Sequence, residues 1–164
     1  MIFCKTFISR RFMESFFLKR TNSDDPDFIA LVRHLDAELA IRDGDEHAFY
    51  SQFNKIANIR SVVVAYLDGR AVGCGAIKPL EERAMEVKRM FVSPEQRGKG
   101  IASKILSELE RWASELNAHA CCLETGIKQP EAIALYRKNG YEPIPNYGQY
   151  EGVENSVCFR KRLI

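Results

Sequence analysis

The sequence predicts a mixed α/β domain, and three observations carry that prediction. Runs rich in β-branched residues at 61–67 and 70–77 flank Asp68 and Gly69, the pair that a type I′ hairpin turn needs. A strand-like run at 85–92, a glycine-rich turn, a helical stripe at 100–116 and an apolar run at 119–125 follow one another at the spacing of a βαβ crossover. The chain has 164 residues, of which 46% are hydrophobic and 28% charged, a balance that suits one globular domain and not a disordered or fibrous chain.

Taken in order, residues 1–12 are basic, with Lys5, Arg10 and Arg11 and no acid. They resemble a short organellar presequence, the favoured reading being a start-site extension without function, and the domain is placed at 13–164. Residues 15–20 read as a first strand that ends at Thr21, Asn22 and Ser23. Asp24 or Asp25 can cap the next helix, where Phe28, Leu31, Val32, Leu35 and Leu39 form one apolar stripe before Gly44. A second helix is expected over 46–58, with Phe49, Phe53 and Ile56 on one side.

After the hairpin, the strand at 85–92 alternates. Glu86, Lys88, Met90 and Val92 share one face; Met85, Val87, Arg89 and Phe91 share the other. The long helix at 100–116 presents Ile101, Ile105, Leu109, Trp112 and Leu116. The run at 119–125 lacks alternation, as a strand buried on both faces does. A short helix from Pro130 stops at Asn139 and Gly140, and residues 141–144 and 156–162 are the last strands. That makes seven strand and four helix candidates.

Several function classes find no support. Lys and Arg number 24 against 22 Asp and Glu, and the net charge of +2 gives no field that argues for nucleic acid. No apolar run approaches the roughly 20 residues of a membrane span. Cys4, Cys74, Cys121, Cys122 and Cys158 form an odd set without C-x-x-C spacing, the usage of a reduced, cytoplasmic protein. His34, His47 and His119 show no metal-ligand spacing, and no metal site is assigned.

The segment 86–103, EVKRMFVSPEQRGKGIAS, bears the chemistry. Gly98 and Gly100 leave the turn without side chains, so backbone N–H groups can approach an anion at the positive end of the following helix. Neither the Walker A pattern nor G-x-G-x-x-G is present. The same turn would also serve as a plain strand-to-helix connector.

Arg97, Gly98, Lys99, Gly100, Ile101 and Ala102 fit R-x-x-G-x-A, and this block together with AIALYRKNGY resembles the GNAT N-acetyltransferase superfamily. The resemblance runs from about residue 15 to the end. It implies a mixed, mostly antiparallel sheet and acetyl-CoA as co-substrate, with the pyrophosphate held by Arg97 to Ala102 and the pantetheine arm by the backbone of Met90, Phe91 and Val92. Gln129 stands where the family often has an asparagine on that arm.

By the same resemblance Tyr136 is the expected general acid, and Glu86 the expected base. The alternatives are a core tyrosine and a strand glutamate ion-paired with Lys88. Tyr147, Tyr150 and Glu151 are candidates for the acceptor, while the acids Asp36, Glu38, Asp43, Asp45 and Glu46 read equally as a solvated capping cluster. The expected activity is transfer of an acetyl group to a primary amine, of a small molecule, by direct attack in a ternary complex. A protein or peptide N-acetyltransferase and a non-catalytic acyl-CoA sensor are the rivals, and a homodimer is left open.

Overall fold

The computed structural model describes residues 15–164, so the extension expected at 1–12 and Cys4 lie outside the described residues. In chain order the elements are β1 (Phe16–Thr21), α1 (Pro26–Asp43), α2 (His47–Ser51), β2 (Ser61–Leu67), β3 (Arg70–Glu81), β4 (Ala84–Val92), α3 (Ile101–Glu115), β5 (Ala120–Gly126), α4 (Pro130–Lys138), β6 (Glu142–Ile144) and β7 (Ser156–Arg162). The strands form one sheet in the order β1-β2-β3-β4-β5-β7-β6. Every pairing is antiparallel except β4 with β5, which α3 joins as the expected crossover.

Helices cover both faces of this sheet. Asp25 caps α1 by accepting from the N–H groups of Asp27 (2.9 Å) and Phe28 (3.3 Å), and Lys19 Nζ steadies the carboxylate at 2.8 Å. Such a cap contributes about 1 kcal/mol. Phe28, Leu31, Val32 and Leu35 then pack on Val62, Val64, Cys74, Ala76 and Phe91. On the opposite face, Ile101, Ile105, Leu106, Leu109 and Ala113 of α3 meet Val63, Val72, Val87, Val92 and Leu123. Each fully buried Leu, Ile or Phe contributes roughly 1.5–3 kcal/mol relative to exposure, so these two stripes supply the main cohesion. The stripe on α3 turns toward Ala113 at its end, and Leu116, expected within it, is half exposed beyond the last turn.

Two further expectations change. The helix expected over 46–58 is five residues long, and Phe53 and Asn54 donate to Tyr50 and Ser51 in tight i→i−3 turns. Phe53 packs edge-on against Phe49 (5.2 Å) and Tyr150 (5.7 Å), and that tertiary contact outweighs a weak helical stripe. In β4 the alternation holds only as far as Lys88. Cys74 opposes Phe91 while Ala76 opposes Lys88, so Arg89 and Met90 stand against the single residue Gly75. Arg89 takes φ 59° at this bulge. Beyond it the faces exchange: Val92 joins Met85 and Val87 under α3, and Phe91 turns to the α1 side. Met90 packs over Gly75, where a Cβ would meet Met90 Sδ at 2.5 Å and Leu109 Cδ1 at 2.8 Å.

No helix among the described residues is long and apolar enough to cross a membrane.

Candidate active site

β4 and β5 pair only at Ala84, Met85 and Glu86, opposite Ala120, Cys121 and Cys122, and part beyond Glu86. The bulge at Arg89 bends β4 away, leaving the β5-facing edge of Met90, Phe91 and Val92 without a strand partner. A cavity of about 320 Å³ opens there, walled by α1, the end of β4, the glycine turn, the start of α3 and α4. It is the space that the splay of two strands creates.

The turn below it has the geometry of an anion cradle. Gly98 (φ 76°) and Gly100 (φ 79°) adopt the left-handed region, and the space where their Cβ atoms would sit is open. The first main-chain bond of α3 runs from Lys104 N–H to Gly100 C=O (3.1 Å), so the N–H groups of its first turn are left for a ligand. Gly98, Gly100, Ile101, Ala102, Gln129 and the strand segment Met90 to Val92 all line the cavity. Arg97 lines it too, but its guanidinium is engaged elsewhere. Nε donates to Val92 C=O (2.8 Å), occupying one of the strand carbonyls expected to meet pantetheine. Lys99 points out to Gln96 (2.8 Å) and is absent from the wall.

A second, smaller cavity of about 110 Å³ shares Leu35, Leu39, Met90, Gln129, Ala132 and Tyr136 with the first. Its remaining wall includes Asp43, Tyr50, Lys88, Arg89, Glu124 and Tyr150. Tyr136 stands where the two spaces meet, and burial keeps its phenol well above the ordinary tyrosine range, hence protonated at neutral pH. Tyr150 is in the second wall, whereas Tyr147 and exposed Glu151 line neither cavity.

Glu86 lies outside both cavities. Its buried carboxylate accepts from Tyr147 Oη (3.0 Å) and sits 3.6 and 3.7 Å from the ammonium groups of Lys78 and Lys88. This is the ion-pair arrangement that the sequence offered as the alternative to a base. Two carboxylates line the second cavity, Asp43 and Glu124, and the sequence reading passed over Glu124. Burial pushes its pKa up to about 7, partly offset by the Ser156 hydroxyl, which donates at 2.7 Å, and by Lys88. An acid inside the apolar run 119–125 was the available signal. Leu35, Leu39 and Arg42 of the α1 wall were also missed as site residues, their long-range position not being a local pattern, and Glu38, read among the acceptor-side or capping acids, lines the larger cavity instead.

Among the described residues four cysteine thiols are free and buried, and burial pushes Cys74 and Cys121 up to about 12 and Cys158 to about 11. None of them lines either cavity.

Residues 58–143, more than half of the chain, match the family model of the acetyltransferase (GNAT) domain. The chain belongs to that family. GNAT membership makes it an acyltransferase enzyme, and relatives agree in class. An IAA acetyltransferase of Azospirillum brasilense is 44% identical over 62% of this chain and 67% of its own. An uncharacterized N-acetyltransferase of Escherichia coli is 31% identical over 76% of this chain and 80% of its own. Among solved structures, a Klebsiella pneumoniae protein classed as an acyl-CoA N-acyltransferase shares 32% identity with a TM-score of 0.77, covering 91% of this chain and 98% of the other. The PaiA N-acetyltransferase of Thermoplasma acidophilum, solved with coenzyme A, shows the same GNAT fold at 16% identity and a TM-score of 0.68, covering 90% and 99%.

Proposed function

We propose that this GNAT enzyme transfers an acetyl group from acetyl-CoA to the primary amine of a small molecule by direct attack. The observation that carries the reading is the meeting of a long cavity and a small one at Tyr136, with Glu124 in the wall of the small one. The long cavity fits the coenzyme: a positive-φ glycine turn and a helix N-terminus suit a pyrophosphate, and an unpaired strand edge suits the amides of pantetheine. Bound there, acetyl-CoA would supply an activated acyl group as its thioester.

The residues divide the proton work. Glu124, deprotonated above about pH 7, accepts the proton of the incoming ammonium, which must be lost before nitrogen can attack. Tyr136 holds its proton at Oη for the sulfur that leaves. Direct attack is supported by the raised, inward cysteines, which offer no thiolate to carry the acyl group. A small acceptor agrees with the volume of the second cavity, about 110 Å³, which has room for one short amine-bearing group.

Isothermal titration with acetyl-CoA, followed by a thiol-release assay over small amines and peptides, tests this reading. Binding with turnover of a small amine is the expected result. Turnover of peptides alone would favour a protein N-acetyltransferase, binding with no turnover would favour a sensor, and no binding would remove the coenzyme assignment.

A further inference from the structure

The second cavity is electrically two-sided. Asp43 at the end of α1 and Glu124 on β5 bring acids to it; Lys88 and Arg89 on β4 bring cations. Glu86 and Cys122 are the last paired residues of β4 and β5, so Lys88 and Glu124, two positions on, stand opposite each other on the same face across the opening.

Lys88 is the unusual member. Its side chain is only 9% exposed, yet its ammonium makes one long hydrogen bond, to Tyr150 Oη at 3.3 Å. The nearest carboxylate, Glu86 at 3.7 Å, is beyond hydrogen-bond distance and is shared with Lys78 and the Tyr147 hydroxyl. Arg89, by contrast, is paired with Asp36. A buried ammonium with donors to spare, beside the acceptor nitrogen's position, repels a plain alkylammonium and attracts an anion. His47 Nδ1 lies 3.8 Å from Asp43, beyond hydrogen-bond distance, and Glu124 accepts only from Ser156, so the acid side keeps carboxylate oxygens for the amine.

We infer that the acceptor is an amino acid-like molecule, with its amine at Glu124 and Asp43 and its carboxylate on Lys88. This rests on the acetyltransferase reading of the same site. Lys88 is a specificity residue; because it also helps to hold down the pKa of Glu124, its loss slows every amine, and the specificity role is read from the ratio between substrates.

The test compares amino acids with the amines left by removing the carboxylate: histidine with histamine, tyrosine with tyramine, phenylalanine with phenethylamine, and β-alanine with ethylamine. O-phosphoethanolamine gives the phosphate-bearing comparison. Thiol release is measured with each, and binding to the coenzyme A complex by thermal shift, on the wild type, Lys88→Met and Lys88→Arg. At least one amino acid is expected to exceed its decarboxylated partner by about 10-fold or more in kcat/KM. Lys88→Met should bring that ratio near one mainly by raising KM, and Lys88→Arg should keep much of it. Equal or better use of the plain amines, preference for the phosphate, or a ratio unmoved in a folded Lys88→Met would overturn the inference. If no amino acid binds or reacts while acetyl-CoA still binds, the inference fails and the acetyltransferase reading stands; if acetyl-CoA itself does not bind, both fail.

Discussion

Arg97 grips both carboxylate oxygens of Glu38, at 2.8 and 2.9 Å, while its Nε holds the carbonyl of Val92. One side chain thus ties the glycine turn to α1 and to the end of β4, three walls of the same cavity. Arg42 and Glu131 form a second tie, from α1 to α4. The Arg97–Glu38 pair is partly exposed, so its weight in overall stability is small, about 1 kcal/mol or less. Its effect is on the shape of the cavity.

Arg97→Ala should therefore weaken acetyl-CoA binding by about 10-fold while lowering Tm by only a few degrees, roughly what a loss of 1 kcal/mol gives. Glu38→Gln should weaken binding less, since the Val92 bond survives. Titration calorimetry and thermal melts on both variants check this; tight binding in Arg97→Ala would mean that the turn holds its shape without the tie.

Tyr136→Phe removes only the hydroxyl from a ring that packs on Tyr141 and Phe159. Turnover should fall by about 100-fold, within the usual range for loss of a general acid, and acetyl-CoA affinity should stay within about twofold. Equal turnover would remove the acid role.

Glu124 makes the rate depend on pH in a stated direction. Its pKa in the folded protein, about 7, lies above the unfolded value, so it is a working base only as pH rises through 7. kcat/KM should climb through that range in the wild type, and Glu124→Gln should lose both that limb and about 100-fold or more in rate. The stability sign is opposite: the folded state binds the extra proton between the unfolded pKa near 4.5 and about 7, so the ionised carboxylate costs stability at high pH. Glu124→Gln should melt higher than the wild type at pH 8, with the gap closing at pH 5. A pH–rate profile and melts at the two pH values measure both.

Gly100→Asp puts a side chain on a backbone at φ 79° and a negative charge at the mouth of the cradle. Acetyl-CoA binding should fall by about 100-fold or more. Gly100→Ala, with the strain but not the charge, should fall less, and the two titrations separate the contributions. Unchanged binding in Gly100→Asp would place the pyrophosphate elsewhere.

Much of this fold was legible because its signals are local. The hairpin turn is visible in Asp68 and Gly69, which both adopt positive φ, and the helix from Pro130 to Lys138 in its stop at Asn139 and Gly140. The α2 region was less legible. The edge-on packing of Phe53 against Tyr150, nearly a hundred residues away, has no trace in the spacing of residues 46–58.

By itself the sequence determined the order of the elements, the glycine turn before α3 and the place of Tyr136 on α4, since turn chemistry and hydrophobic period are written within a few residues of each other. Only the tertiary structure decided which of two strand carboxylates lines the second cavity. Glu86 and Glu124 are both acids on neighbouring strands. The strands part just beyond Glu86, so Glu86 stays inside the paired sheet among lysines while Glu124 emerges in the gap. The bulge in β4 sets Arg89 and Met90 against the single residue Gly75 of β3, and such a register between distant residues exists only once the chain has folded.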